Sequence, residues 1–528
     1  MMSRLDLATG EHMIVVRHAG AMAGYDADVL VVGSGFGGSV AALRASQAGR
    51  SVLVAEMGRR ISPQDMHAGG ASATRLLWEP AVGLHGYFRQ KMLRHVTVVG
   101  GVGVGGGSLV YAAVLLRPDH DTLAAPGWTS VGIDWHAELD THFDTAGAMM
   151  QRQTNPYRGI QDVWLQQAAD QLGVGQTYGA TPQGIDFDQC VQCGQCITGC
   201  PFGAKKSMDL TYLRQAEELG ARIRPTTKVE ILVPLGDDGR DGWKAVVRDP
   251  LNPRQVGSIV VREVVLAAGV LGTTELLLAS RDRWRTMPDL SPRLGDHVRT
   301  NSEAFAAILH PAGTDVTRGA TISSDFYPDS RTHVTNNRFP QSYSFMKWYL
   351  SPATDAADQG QRRRQTLAAM VRHPRSAVAN MRARDWHRRT TVLTVMQHAD
   401  NEMALRYGRS LGSWRLRSLL PDGAPPVPTH LPQADAAGAA VAAVSGGRAY
   451  STVLESLLGV GATAHILGGA IIGSDPGTGV VDSDQRVFGY RNLRVMDGSV
   501  VPENIGVNPS WTITALAERA AQRWLSAD

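Results

Sequence analysis

The apolar positions of residues 27–33, ADVLVVG, run almost without interruption and stop at a glycine. That pattern predicts a strand of a parallel sheet, buried on both faces. Gly33-Ser34-Gly35-Phe36-Gly37-Gly38 follows, and then SVAALRASQAG, whose apolar positions recur at helical spacing. A second short apolar run, SVLVAE, ends at Glu56. The order is strand, glycine turn, helix, strand, acid. PTTKVEILV (225–233) reads as another strand, and VVLAAG (264–269) as a strand closing on glycine. TITALAERAAQRW, close to the C-terminus, reads as a helix. The Pro-, Ala- and Gly-rich stretch 421–447 reads as loops and a weak helix.

The first of these units carries chemistry. In G-x-G-x-x-G the first glycine, Gly33, makes the turn, the second, Gly35, lets backbone reach a pyrophosphate, and the third, Gly38, packs helix on strand. The helix then offers its free N–H groups to the phosphates. Glu56, eighteen residues after Gly38, accepts hydrogen bonds from ribose hydroxyls in this scheme. The unit predicts a dinucleotide and does not separate FAD from NAD.

Composition narrows the class. The chain has 528 residues, which predicts at least two domains. It is 43% apolar and 19% charged, a globular balance, and its formal charge of +3 gives no reason to expect a nucleic-acid partner. The first residues carry Arg4, Asp6, Glu11 and Arg17 and form neither a secretory leader nor a twin-arginine signal, and no run of 18 uncharged apolar residues occurs. The expectation is a cytoplasmic protein.

Two further segments carry a resemblance. Residues 100–118, GGVGVGGGSLVYAAVLLRP, and the C-terminal run from HILGG to GVNPSWTITALAERAA resemble the glucose–methanol–choline (GMC) oxidoreductases, in the cholesterol-oxidase-like branch. VVLAAGVLGTTELLLAS (264–280), RTNSE (299–303) and LRVMDGS extend the likeness over nearly the whole chain. The resemblance implies FAD and oxidation of an alcohol to a carbonyl. It implies that Gly103, Gly105, Gly106 and Gly107 lay backbone along the flavin and that Ser108 supplies a hydroxyl. It places Gly269, Gly272, Thr273 and the backbone of Val229 at the adenine side, and Asp497 and Gly498 at a flavin-contact turn. His465 stands where the family keeps its catalytic histidine and Asn508 where it keeps the second active-site residue. Tyr111 departs from the asparagine that cholesterol oxidases tend to have there. The implied substrate is a sterol or long-chain alcohol, and the acceptor of its electrons is either oxygen or a protein.

All four cysteines lie in one run, Cys190-x2-Cys193-x2-Cys196-x3-Cys200-Pro201. The spacing is that of a bacterial iron–sulfur run. In two-cluster ferredoxins the fourth cysteine serves a second cluster, and this chain has no second set. An iron–sulfur cluster, a zinc ion and free thiols all stay open. Between Gln361 and Thr390 lie nine arginines and one acid, Asp385, interleaved with apolar residues. Such a stretch suits either a solvated face or peripheral contact with an anionic membrane.

The expected fold is α/β: a discontinuous Rossmann-type FAD-binding domain (25–118, 186–300 and 462–528) with an antiparallel-sheet substrate domain (119–185 and 301–461). The competing function is an electron-transfer flavoprotein with an iron–sulfur relay and no alcohol chemistry of its own.

Overall fold

The computed structural model describes residues 24–354, 356–372, 374–410 and 412–526. The N-terminal residues read above for a leader lie outside them. Among the described residues no helix is long and apolar enough to cross a membrane.

One sheet is built around the strand Ala27–Val32, parallel to Val52–Ala55 on one side and to Val256–Leu266 on the other. Arg222–Arg224 extends it beyond Val52–Ala55. Besides Ala27–Val32, the 11-residue strand Val256–Leu266 serves two further partners. Its first half pairs antiparallel with Trp243–Arg248, which pairs in turn with Lys228–Pro234. Its second half pairs parallel with Leu493–Val495, from the far end of the chain. Val29, Leu30 and Val31 are fully buried, and helix Phe36–Gln47 packs against their strand. Helices Phe36–Gln47 and Ser510–Leu525 pack along each other, and the Arg44–Glu518 ion pair joins them at 2.7 Å.

The second sheet is antiparallel. It runs in the order Leu350–Pro352, Arg448–Thr452, Ala304–Leu309, Thr390–Gln397, Thr332–Asn337, Ser324–Asp329, Gly179–Ala180. Helices Ile160–Gln171 and Pro432–Ser445 cover one face, where Leu165, Ala437 and Val441 meet Ala306, Ile308 and Leu393. The stretch read as loops and a weak helix thus contains a regular helix of 14 residues. Its small residues have a packing reason: a Cβ on Gly438 would lie 2.9 Å from Ala306 Cβ, so the helix rides close on the sheet.

The arginine-rich stretch forms helices Gln359–Arg372 and Pro374–Arg382 and a last turn, Trp386–Arg389. Part of it is internal. Arg362 is buried and donates to the carbonyls of Ala356, Ala357 and Thr429, and Arg389 donates to the carbonyl of His310.

Candidate active site

The glycine segments meet backbone to backbone. A Cβ on Gly33 would lie 2.3 Å from the Ala267 carbonyl oxygen, on Gly37 1.6 Å from that of Met496, and on Gly38 2.1 Å from that of Gly33. A Cβ on Gly106 would lie 2.6 Å from Gly35 Cα, so the 103–107 turn rests directly on the first turn. Gly103, Gly105 and Gly106 have φ of 148°, 111° and 57°, left-handed values that favour glycine. Gly35 and Gly269 differ from these. A Cβ on Gly35 would meet nothing closer than 4.0 Å, and one on Gly269 nothing at all. These two open onto space that a bound group can use, and helix Phe36–Gln47 presents its N-terminus there with neither a side-chain cap nor an acid in its first turn. Helix Ser510–Leu525 likewise starts uncapped, just after Asn508. Residues, turns and helix ends therefore fit a pyrophosphate-bearing cofactor.

Several side chains expected at that cofactor are occupied within the protein. Ser108 is fully buried; its hydroxyl donates to the Gly105 carbonyl at 2.7 Å and accepts from Met208 N–H at 2.9 Å. It pins the turn, its proton spent on the Gly105 carbonyl. Asp497 accepts from Gly269 N–H, the Thr273 hydroxyl, and the N–H and hydroxyl of Ser499. Burial pushes its carboxyl up and those donors oppose it. It bolts the 267–273 segment to the 496–499 turn, leaving only backbone, with Gly498, to face a ligand. Thr273 is spent on the same bolt. Glu56 is buried and accepts from Ser34 N–H (3.2 Å), the Ser34 hydroxyl (2.7 Å) and Gly58 N–H (2.9 Å). Val229 sits where the pairing of its strand with Trp243–Arg248 slips by one residue, between Val229 and Ile231.

His465 and Asn508, 43 residues apart, come together. Asn508 Nδ2 lies 3.2 Å from His465 Nε2. The other ring nitrogen, Nδ1, lies 2.7 Å from Glu303 Oε1, off the line of an ideal hydrogen bond. Glu303 is buried, and the same oxygen accepts from Ala464 N–H at 3.2 Å. A carboxylate beside Nδ1 favours the tautomer that carries its proton on that nitrogen, the one in which Nε2 is the acceptor. Asn508 Oδ1 is buried without a partner, an acceptor left over at the pocket.

Glu303 belongs to a segment whose side chains sequence reasoning left unassigned. Arg299 exchanges backbone hydrogen bonds of 2.9 Å with Leu467, two residues from His465, and its guanidinium donates to the carbonyls of Pro502 and Asn401. Asn301 Nδ2 donates to the carbonyl of Val507, the residue before Asn508, at 2.7 Å. Ser302 takes φ of 49°, uncommon for a residue with a side chain. One segment thus positions both site residues. The available signal was five consecutive polar residues leading into the apolar strand AFAAIL.

The four cysteines are free thiols, and all four line one small cavity. Among the described residues no group of three or more His, Cys, Asp or Glu side chains could hold a metal ion. A zinc clamp needs such convergence, so the loop is not built as one.

The model of GMC oxidoreductases matches residues 14–298 with its N-terminal part and 352–517 with its C-terminal part. The chain belongs to the GMC oxidoreductase family. This GMC enzyme is an FAD-dependent oxidoreductase acting on an alcohol, and membership does not support a relay lacking alcohol chemistry. It is 35% identical over 524 residues to a cholesterol oxidase of Acinetobacter baumannii, covering 94% of each chain. It is 36% identical over 530 residues to a cholesterol oxidase of Mycobacterium tuberculosis, covering 94% of this chain and 91% of that one. A long-chain-alcohol oxidase of Arabidopsis thaliana is 25% identical, covering 93% of this chain and 66% of its own. Among solved structures, a pyridoxine 4-oxidase from Mesorbium loti superposes with a TM-score of 0.63 at 16% identity, covering 94% of this chain and 99% of that chain. That likeness concerns the fold alone.

Proposed function

We propose that this GMC enzyme oxidises a bulky apolar alcohol, a sterol or a long-chain alcohol, with His465 as general base and Asn508 holding the substrate oxygen. The observation that carries the reading is the Glu303–His465–Asn508 chain, with Nε2 facing the amide and an orphaned Oδ1 beside it. A substrate hydroxyl entering between ring and amide gives its proton to Nε2 and accepts from Asn508 Nδ2. Glu303 holds the ring and balances the charge it gains. Bound FAD supplies the acceptor for the hydride leaving the carbinol carbon. Gly33, Gly35, Gly38, Glu56, the 103–107 turn, Gly269, Gly498 and the Val229 backbone would hold it, and the N-terminus of Ser510–Leu525 would favour anionic reduced flavin.

Two observations support the apolar class. Relatives spanning almost the whole chain are cholesterol oxidases. The arginine-rich helices expose Leu367 and, at 80%, Val371, with Trp348, Tyr349 and Leu458 exposed on segments packed against them. Apolar side chains among arginines suit peripheral contact with an anionic membrane, where such alcohols dissolve. The test is anaerobic flavin reduction with sterols, fatty alcohols, sugars and choline, together with vesicle binding at rising salt. Turnover confined to sugars or choline overturns the substrate class, and salt-insensitive or absent vesicle binding overturns the membrane contact.

A further inference from the structure

The cysteine loop has no part in the alcohol chemistry, yet it is built around a common centre. Gln192, Gly194, Gly199 and Gly203 take φ of 57°, 67°, 89° and 72°. These four left-handed turns in twelve residues fold the run back on itself. Cys190, Cys193, Cys196 and Cys200 all line the resulting cavity, so the fourth cysteine serves the same centre as the first three. Beneath the loop Lys205 is 1% exposed, and Nζ donates to the carbonyls of Leu109 (2.8 Å), Tyr111 (3.2 Å) and Cys196 (2.7 Å). Its acceptors are all neutral. A buried ammonium is costly without a counter-charge, and the buried Asp209 carboxylate supplies one.

We propose that this loop binds a four-iron, four-sulfide cluster. A single metal ion would need at least three ligands at one point, which the described residues do not offer. A cubane cluster takes one cysteine per iron and so needs four sulfurs around a cavity, not at a point. With its four thiolates it is net negative, and the buried Lys205 ammonium, bonded to the Cys196 carbonyl, lies beside it. The site adjoins the flavin segment: Cys196 belongs to an apolar cluster against which Tyr111 packs, and the Tyr111 ring meets Phe36 of the first glycine turn at 5.4 Å between centroids. Resting on the FAD reading, the cluster takes the two electrons of reduced flavin one at a time. The one proton of the anionic reduced flavin and the substrate proton held on His465 would pass to solvent, and an outside one-electron acceptor would reoxidise the cluster after each transfer.

The experiment uses the full chain purified without oxygen. Four irons and four acid-labile sulfides per chain are expected, with a paramagnetic signal from the cluster on reduction by dithionite and, in the flavin-loaded enzyme, by substrate alcohol. One zinc per chain, three irons, or no metal with four titratable thiols overturns the site. A cluster that dithionite reduces while substrate bleaches only the flavin overturns the relay and leaves the site. Iron and sulfide without flavin would sink the FAD reading and not the cluster. Cys193→Ser should lose the iron, keep flavin reduction by substrate and slow reoxidation by ferricyanide at least tenfold. Should that variant not fold, the wild-type metal and sulfide ratios decide alone.

Discussion

The glycine turn at 33–38 and the polar segment Arg299–Glu303 build the same pocket by opposite means. The turn works by having no side chains: carbonyls of Ala267 and Met496 occupy the volume a Cβ would need. The polar segment works through side chains that are almost wholly buried, with Thr300, Asn301 and Ser302 at 0% exposure and Glu303 at 2%. A steric requirement of the first kind tolerates no substitution. A hydrogen-bonded requirement of the second kind admits a graded response, because an isosteric neutral group keeps part of the geometry.

The largest effect should separate two glycines of the same turn. Gly37→Ala puts a methyl 1.6 Å from the Met496 carbonyl, with backbone on both sides, so the loss should exceed the ~1–3 kcal/mol of ordinary overpacking. Soluble, flavin-bearing protein should not be recovered. Gly35→Ala, with open space around it, should fold with an unchanged apoprotein melting temperature and retain less FAD. Equal melting losses in both variants would show that the distinction between packing and ligand-facing glycines is wrong.

Next in size is the base. His465→Ala should slow flavin reduction by at least about 10²-fold, the usual range for a positioned base, with FAD still bound. Near-normal single-turnover reduction in that variant would remove His465 from the mechanism.

Glu303 should give a smaller, graded loss. A hydrogen bond to a charged group is worth about 1.5–3 kcal/mol, so Glu303→Ala should lower kcat by roughly ten- to a hundredfold with KM little changed. Glu303→Gln still accepts from Ala464 N–H and should recover part of that loss. Damage to packing alone would lower the melting temperature without the kcat-over-KM split, and glutamine would then rescue stability and not rate.

The same contrast governs what could be read from the chain. The strand–glycine–helix–strand–acid order was legible because steric rules act locally: a turn needing φ of 97° at Gly33 writes a glycine at that position. His465 and Asn508 were legible through resemblance. The roles of Arg299, Asn301 and Glu303 were not, because their partners Leu467, Val507 and His465 lie more than 160 residues away. The spent hydroxyls of Ser108 and Thr273 escaped for the same reason, since a motif names a residue and not the partner that has claimed it. The helix Pro432–Ser445 was underestimated because its alanines look weak in isolation and become a packing face only against Ala306.

The smallest effect concerns a buried acid outside the pocket. Glu455 lies ten residues before His465, and unlike Glu303 it touches no site residue, while its Oε1 has no partner. Desolvation pushes its carboxyl up from 4.5 to about 8, against the Thr452 hydroxyl, the Phe305 N–H and Arg362, with Asp435 adding to the rise. The sign follows from linkage. A folded state that holds its proton more tightly than the unfolded chain is most stable below about 4.5 and loses that stability as pH climbs through about 8. Burial raises Glu56 and Asp497 in the same direction, so only a comparison of variants isolates Glu455. Glu455→Gln should therefore show a flatter melting temperature between pH 5 and pH 8 than the wild type, a difference of a few degrees, with flavin reduction unchanged. Parallel melting profiles would mean that Glu455 is paired or solvated in solution. A fall in the rate of flavin reduction would place it in the pocket beside Glu303, and the distinction between a site carboxylate and a merely buried one would have to be redrawn.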